Sequence, residues 1–240
     1  MDVRAVLADV ASFGPFFAVS TDPAEQLDPS WRPLTHLYTD PAPLRDRIAQ
    51  VRRVLGSDDR IAGSIAFQGL AARVLSAPFA AAVLHGVVPR LTPDVLHYRV
   101  SVTGPWPLWC PVPLAMNVPD VPATADTLAG LLFDDHLAPM VAAVRAQVSI
   151  SPRVLWGSVA SSVASGKRLV GVERPAAAGR AAEIAGRLLA AGPLAGTGDL
   201  LDPAAPDTAW TFRRRSCCLY YQVRGGGRCG DCVLLNRPPR

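Results

Sequence analysis

Apolar positions along the chain recur mostly at helical spacing. The sharpest stretch begins at Asp40, followed by Pro41 and by Leu44, Ile48, Val51, Val54 and Leu55, and it stops at Gly56. A capping acid, a proline in the first turn and a glycine past the last turn are the signals of an amphipathic helix. A second helix is expected from Ser57 or Asp58 through Ile61, Ile65, Leu70 and Val74 to a break at Pro78, and a third over residues 79–87. Residues 3–12 show weaker helical periodicity, and residues 22–33, rich in Asp and Pro, read as a loop anchored by Trp31. Further helices are expected over residues 124–133 and 134–148, from Ser151-Pro152 through Val163, and over residues 176–191. Residues 96–102 alternate with period two, which predicts a half-buried strand in a small antiparallel sheet. No segment recurs at a fixed period, which argues against a solenoid.

Composition narrows the class. Half of the 240 residues are hydrophobic and 18% are charged, values of a folded protein rather than a disordered one. The 23 prolines are about twice the usual ~5% and keep the elements short. Residues 100–119 carry no charge, but Pro105, Pro107, Pro111, Pro113 and Pro119 would break any membrane-spanning helix through them. Buried extended chain with tight turns is expected there, with no stable membrane insertion. Asp2 and Asp9 stand where an export signal needs a basic region and an apolar run, so the expectation is a cytoplasmic protein. In a reducing compartment, clustered cysteines more often bind metal than form disulfides.

After Pro193 the chain changes character. Gly196, Gly198, Pro203 and Pro206 read as a linker, dividing a helical α+β body, residues 1–205, from a C-terminal module, residues 206–240. Residues 212–240 hold seven arginines and one aspartate, a net charge of +6, whereas the rest of the chain has 17 basic and 19 acidic residues, a net of −2. Four of the five cysteines also lie there, as Cys217-Cys218, ten residues, Cys229, two residues, Cys232. A Cys-x-x-Cys turn brings two thiolates to one metal, and Gly230 suits its tight backbone. By ligand type, four thiolates fit tetrahedral zinc or an iron–sulfur cluster. Adjacent cysteines in extended chain point to opposite faces, so seating Cys217 and Cys218 on one small ion demands local distortion, and a two-iron cluster offers wider sulfur positions.

Residues 215–221, Arg-Ser-Cys-Cys-Leu-Tyr-Tyr, followed by residues 225–232, Gly-Gly-Gly-Arg-Cys-Gly-Asp-Cys, resemble the C-terminal signature of the FhuF-like ferric-siderophore reductases. Residues 64–73 and 155–161 resemble the same family more weakly. The resemblance implies a [2Fe–2S] cluster on Cys217, Cys218, Cys229 and Cys232, with no catalytic residue beyond the cluster. It implies one-electron reduction of siderophore-bound ferric iron, with release of ferrous iron in the cytoplasm. With four thiolates such a cluster has a formal charge of about −2, and about −3 once reduced, so the basic segment would favour the reduced state within a range of roughly −700 to +450 mV. Main-chain N–H groups of residues 225–227 are expected to reach the sulfurs. The basic surface would attract an anionic ferric chelate, an acidic ferredoxin-like donor, or both. Electrons are expected from another protein, because there is no G-x-G-x-x-G after a strand and no phosphate-loop Lys-Ser/Thr.

The remaining chemistry-bearing residues have plainer readings. Cys110 reads as a buried structural thiol, and His36, His85, His97 and His136 show no metal-like spacing. Ser158, Ser161 and Ser162 do not form G-x-S-x-G. Arg213, Arg214 and Arg215 either tune the cluster and bind a partner or form a solvated strand face. No stacking aromatics accompany them, so nucleic acid is not an expected partner. The expected fold is α+β, mostly helical, with a small antiparallel sheet and a C-terminal iron–sulfur module. The alternative is a zinc-stapled protein that binds a siderophore without redox chemistry.

Overall fold

The computed structural model describes residues 2–118 and 120–235; Pro119, Arg237 and Arg240 lie outside the described residues. Its helices are α1 (Val3–Ala11), α2 (Thr35–Thr39), α3 (Pro41–Leu55), α4 (Asp59–His85), α5 (Val121–Ala129), α6 (Ala138–Gln147), α7 (Pro152–Glu173) and α8 (Ala178–Ala190). The capping chemistry behaves as the sequence predicts. The Asp40 carboxylate accepts the Ala42 N–H to start α3, Gly56 ends it in the left-handed region at φ +58°, and Ser151 caps α7 by accepting from Arg153. Of the α3 apolar stripe only Leu44 and Ile48 are buried, and Val54 is 78% exposed.

Pro78 does not break the chain into two helices: α4 runs through it. A proline in a helix interior forfeits one hydrogen bond and costs roughly 3 kcal/mol. Here Ala77, Phe79, Ala80, Ala81 and Ala82 are fully buried around it, so packing on both sides holds the helix straight through. The helices expected over 124–133 and 134–148 also form one rod, because a π-helical turn, Gly130–Leu137, joins α5 to α6. α4 is the central element, with α1 and α3 packed on it, α7 alongside, and α8 behind α7. Both α4 and the run Val121–Gln147 are long and apolar enough to cross a membrane, but 78% of the apolar stretch of α4 is buried inside the fold.

Three small sheets edge the helices. β1 (Val19–Ser20), β2 (Arg32–Pro33), β4 (His97–Tyr98) and β5 (Leu108–Trp109) form one in the order β1-β5-β4-β2, with β1 and β5 parallel and the other pairs antiparallel. β3 (Val87–Pro89) pairs with β6 (Ala115–Asn117), and β7 (Gly198–Leu201) pairs with β8 (Thr211–Arg214), both antiparallel. The strand expected over 96–102 is shorter than its alternation suggests. Beyond Tyr98 the partner positions fall on Pro107 and Pro105; Arg99 N–H still reaches Pro107 O at 3.2 Å, but a proline has no N–H to return. Val100 and Val102 are 61% and 81% exposed, and Val112 and Leu114 are exposed too, so residues 100–118 are buried only in part, chiefly at Trp106, Leu108, Trp109 and Cys110.

Candidate metal centre

The cysteine segment is seated on the body by a hairpin and by main-chain bonds. β8 leads directly to the vicinal cysteines, and Arg214 N–H bonds Asp231 O at 2.9 Å, which fastens the Cys229–Cys232 turn to the end of that strand. Within the turn Cys232 N–H bonds Cys229 O at 3.0 Å. On the other side Ser64, fully buried in α4, donates its hydroxyl to Cys218 O at 2.9 Å, and Leu219 and Val223 pack with Ile61. The distortion that vicinal cysteines require falls on Leu219, whose φ of +71° lies in a region that non-glycine residues seldom occupy. Leu219 N–H lies on Cys217 Sγ at 3.3 Å.

The glycines serve the chain path rather than the sulfurs. Gly225 sits at φ +74°, and Gly226 lies so near Tyr220 O and Val223 O that a Cβ would collide with them. Gly226 N–H bonds Val223 O at 2.7 Å. Leu219 N–H lies on Cys217, Tyr220 N–H on Cys218, and Leu234 N–H on Cys232 at 3.4 Å, and among the described residues no N–H of residues 225–227 is found on sulfur.

Cys218 and Cys232 are buried, while Cys217 and Cys229 are half-buried. Cys218 Sγ and Cys229 Sγ are 3.9 Å apart, close to the ~3.8 Å that two thiolates span on a tetrahedral metal with bonds of ~2.3 Å. Hydrogen bonds from Cys217 and Cys229 hold the Cys218 thiol well below its ordinary pKa. Donating those bonds, and then burial, pushes Cys217 and Cys229 up, and the Asp231 carboxylate adds to the rise at Cys229. Four soft donors are therefore gathered with one thiolate already favoured. Among the described residues no three His, Cys, Asp or Glu side chains converge closely enough to enclose a single ion. A sulfur-only set of four donors fits a [2Fe–2S] cluster by ligand type, as it does a tetrahedral zinc.

Beside these sulfurs lies a cleft of about 480 Å³ between α4 and α7. Cys218 and Cys229 are among its lining residues, with Ile65, Gly69, Ala72 and Ser76 on the α4 wall and Ser161, Ser162, Ser165 and Leu169 on the α7 wall. Phe16 and Phe17 close a third side. Their loop is held by Arg73, a buried guanidinium that donates from Nη1 to Phe16 O at 2.9 Å, from Nη2 to Ala18 O and from Nε to Trp106 O at 2.8 Å. Burial lowers its pKa to about 10, so it stays charged at neutral pH. Among the described residues no Lys, Arg, Asp or Glu lines the cleft.

Two helices of the body meet the cysteine segment: α4 through Ser64, as described, and α7 through Gly157 and Ser158 against Ser216 and Arg214 and through Ser161 bonded to the Asp231 carboxylate. Sequence reasoning missed the cleft. Its signal was present, since Ile65, Gly69, Ala72 and Ser76 follow helical spacing on one face, but small residues alone do not distinguish a cleft wall from close packing. Cys110 is a buried thiol whose pKa burial raises. His136 is buried in the π-helical turn, bonded to Tyr38 and Leu91, and His85 pairs with Asp9 at 2.9 Å, both outside the residues lining the cleft. Arg213 is in β8 and Arg215 is exposed in an ion pair with Asp199.

No curated protein matches the chain. Residues 214–234 match the family model described as the FhuF 2Fe-2S C-terminal domain, and Cys217, Cys218, Cys229 and Cys232 fit its signature. The C-terminal end of the chain is thus similar to a FhuF-type [2Fe–2S] domain, which is consistent with a FhuF-like family.

Proposed function

We propose that this protein is a ferric-siderophore reductase acting in the cytoplasm, in which Cys217, Cys218, Cys229 and Cys232 would hold a [2Fe–2S] cluster that, when bound, would supply one-electron chemistry towards chelated ferric iron. The observation that carries this reading is the cleft lined in part by Cys218 and Cys229.

The chain's own residues divide the work. Phe16, Phe17, Ile65 and Leu169 give a bulky chelate apolar surface, and Ser161, Ser162, Ser165 and Gln68 give it hydroxyl and amide partners. The exposed positive charge of the cysteine segment would attract an acidic ferredoxin-like electron donor, an anionic ferric chelate, or both. One electron converts Fe(III) to Fe(II), which hard oxygen ligands hold more weakly, so the chelator is released intact.

Protein purified without oxygen should be brown, contain close to two irons per chain, and bleach on reduction. Ser165→Trp, which places an indole in the cleft at an exposed position of α7, should slow reduction of a bulky ferric chelate severalfold while leaving the absorption spectrum unchanged. A colourless, folded protein with stoichiometric zinc would establish the zinc-stapled binding protein instead.

A further inference from the structure

Arg214 is the largest fully buried side chain in the molecule, at 1% exposure. It reaches Ser158 Oγ from Nη2 at 3.2 Å, but its Nε and Nη1 have no hydrogen-bond partner, and neither does the buried hydroxyl of neighbouring Ser216. A guanidinium cannot shed its charge, so a buried one is ordinarily met by a carboxylate. Among the described residues none pairs with Arg214: the nearby Asp231 carboxylate accepts from Ser161, and Asp199 is taken by Arg215. The position is well defined. Arg214 stands three residues before Cys217, its main-chain N–H holds the Cys229–Cys232 turn through Asp231 O, and its side chain lies against Gly157 and Ser158 of α7.

We propose that Arg214 is the buried counter-charge of the cluster, a positioning and tuning residue whose uncompensated cation is balanced by the negative charge the four thiolates carry when the cluster is bound. The inference rests on the [2Fe–2S] reading above. Of the three consecutive arginines it selects the one buried beside the cysteine segment, paired with no carboxylate among the described residues, over the exposed Arg215, which has an anionic partner and is screened by water. Two consequences follow. Reduction adds one negative charge to the site, so a fixed buried cation favours the reduced form. In the iron-free chain the same cation is a burden, so the cluster should stabilise the wild type more than a variant lacking the charge.

The test is a potentiometric titration, followed by visible absorption and electron paramagnetic resonance, on full-length holoprotein of wild type, Arg214→Gln, Arg214→Lys and Arg215→Gln, with iron and sulfide counted in each. At the wild-type midpoint the reduced-to-oxidised ratio of R214Q should fall about tenfold, a downward shift of about 59 mV for one electron, while R214K and R215Q stay within about twofold. In thermal melts the gap between holo and iron-free forms should narrow in R214Q alone. Two irons in R214Q with an unchanged ratio overturn the inference and leave the cluster reading standing; absence of iron from the wild type overturns both. If R214Q does not fold, R214K decides. A lysine variant that loads two irons but shifts its ratio tenfold, or that loses stability equally with and without iron, shows a packing role and overturns the inference.

Discussion

A side chain at position 157 would have nowhere to go. Gly157 lies in α7 directly under Ser216, and a Cβ there would collide with Ser216 Oγ and sit 3.7 Å from Arg214 Nη2. Glycine in a helix interior ordinarily costs ~1 kcal/mol relative to alanine, so Gly157→Ala would stabilise an ordinary helix. Here the expected sign is reversed: overpacking of about 1–3 kcal/mol should lower the melting temperature and the iron content together. Ser216→Ala removes the colliding oxygen and leaves its Cβ 3.5 Å away, so the double variant should recover most of the loss. Thermal melts and iron assays on the four proteins of this cycle check it; additive effects would show that the two residues do not meet. Leu219 makes a similar point in the backbone: it holds a positive φ, and its N–H lies on Cys217 Sγ.

Among the elements, the π-helical turn Gly130–Leu137 has a measurable signature. It places His136 at 1% exposure with Nε2–H donating to Leu91 O at 2.6 Å and Nδ1 accepting the Tyr38 hydroxyl at 2.8 Å, a neutral imidazole with both nitrogens used. Burial lowers its pKa from 6.5 to about 4, against the weaker upward pull of the Leu91 bond and the Asp94 charge. The unfolded chain takes up this proton near pH 6.5 and the folded one only near pH 4. Stability is therefore full above about pH 6.5 and is lost progressively as pH falls toward 4, by on the order of 3 kcal/mol. His136→Gln, which cannot titrate, should be less stable at pH 7 and show a flatter acid limb between those values. Thermal unfolding by circular dichroism across this range checks it; an acid limb as steep as the wild type's would assign the loss to other groups.

At the scale of the whole molecule the helices supply most of the apolar core, α4 and α7 burying their apolar faces against α1, α3 and α8. The cysteine segment joins them through the β7–β8 hairpin, whose Phe212 enters that core, through buried Arg214 against α7, through main-chain bonds and through the small Ile61–Leu219–Val223 contact. Cys229→Ser should accordingly abolish the cluster and its colour while the helical circular dichroism is kept. Helical signal lost in step with iron would show that the cluster staples the whole chain.

How much of this was legible beforehand follows from the range of the forces. Local rules govern the start of α3 at Asp40 and its end at Gly56, the start of α7 at Ser151, and the composition of the cysteine set, because caps, left-handed glycines and thiol spacing act within a few residues of chain. Other outcomes belong to contacts between distant segments. Pro78 stays helical because buried alanines and Phe79 pack around it; the strand after Tyr98 stops because its partner positions are prolines; and a row of small residues becomes a cleft wall only when α7 stands opposite α4. Charge reads the same way. The sequence alone determined that the cysteine end is basic and bears four thiols, but one arginine of three consecutive ones is buried with no carboxylate partner among the described residues, and tertiary structure decided that it was Arg214, because desolvation depends on what surrounds a side chain and not on its place in the chain.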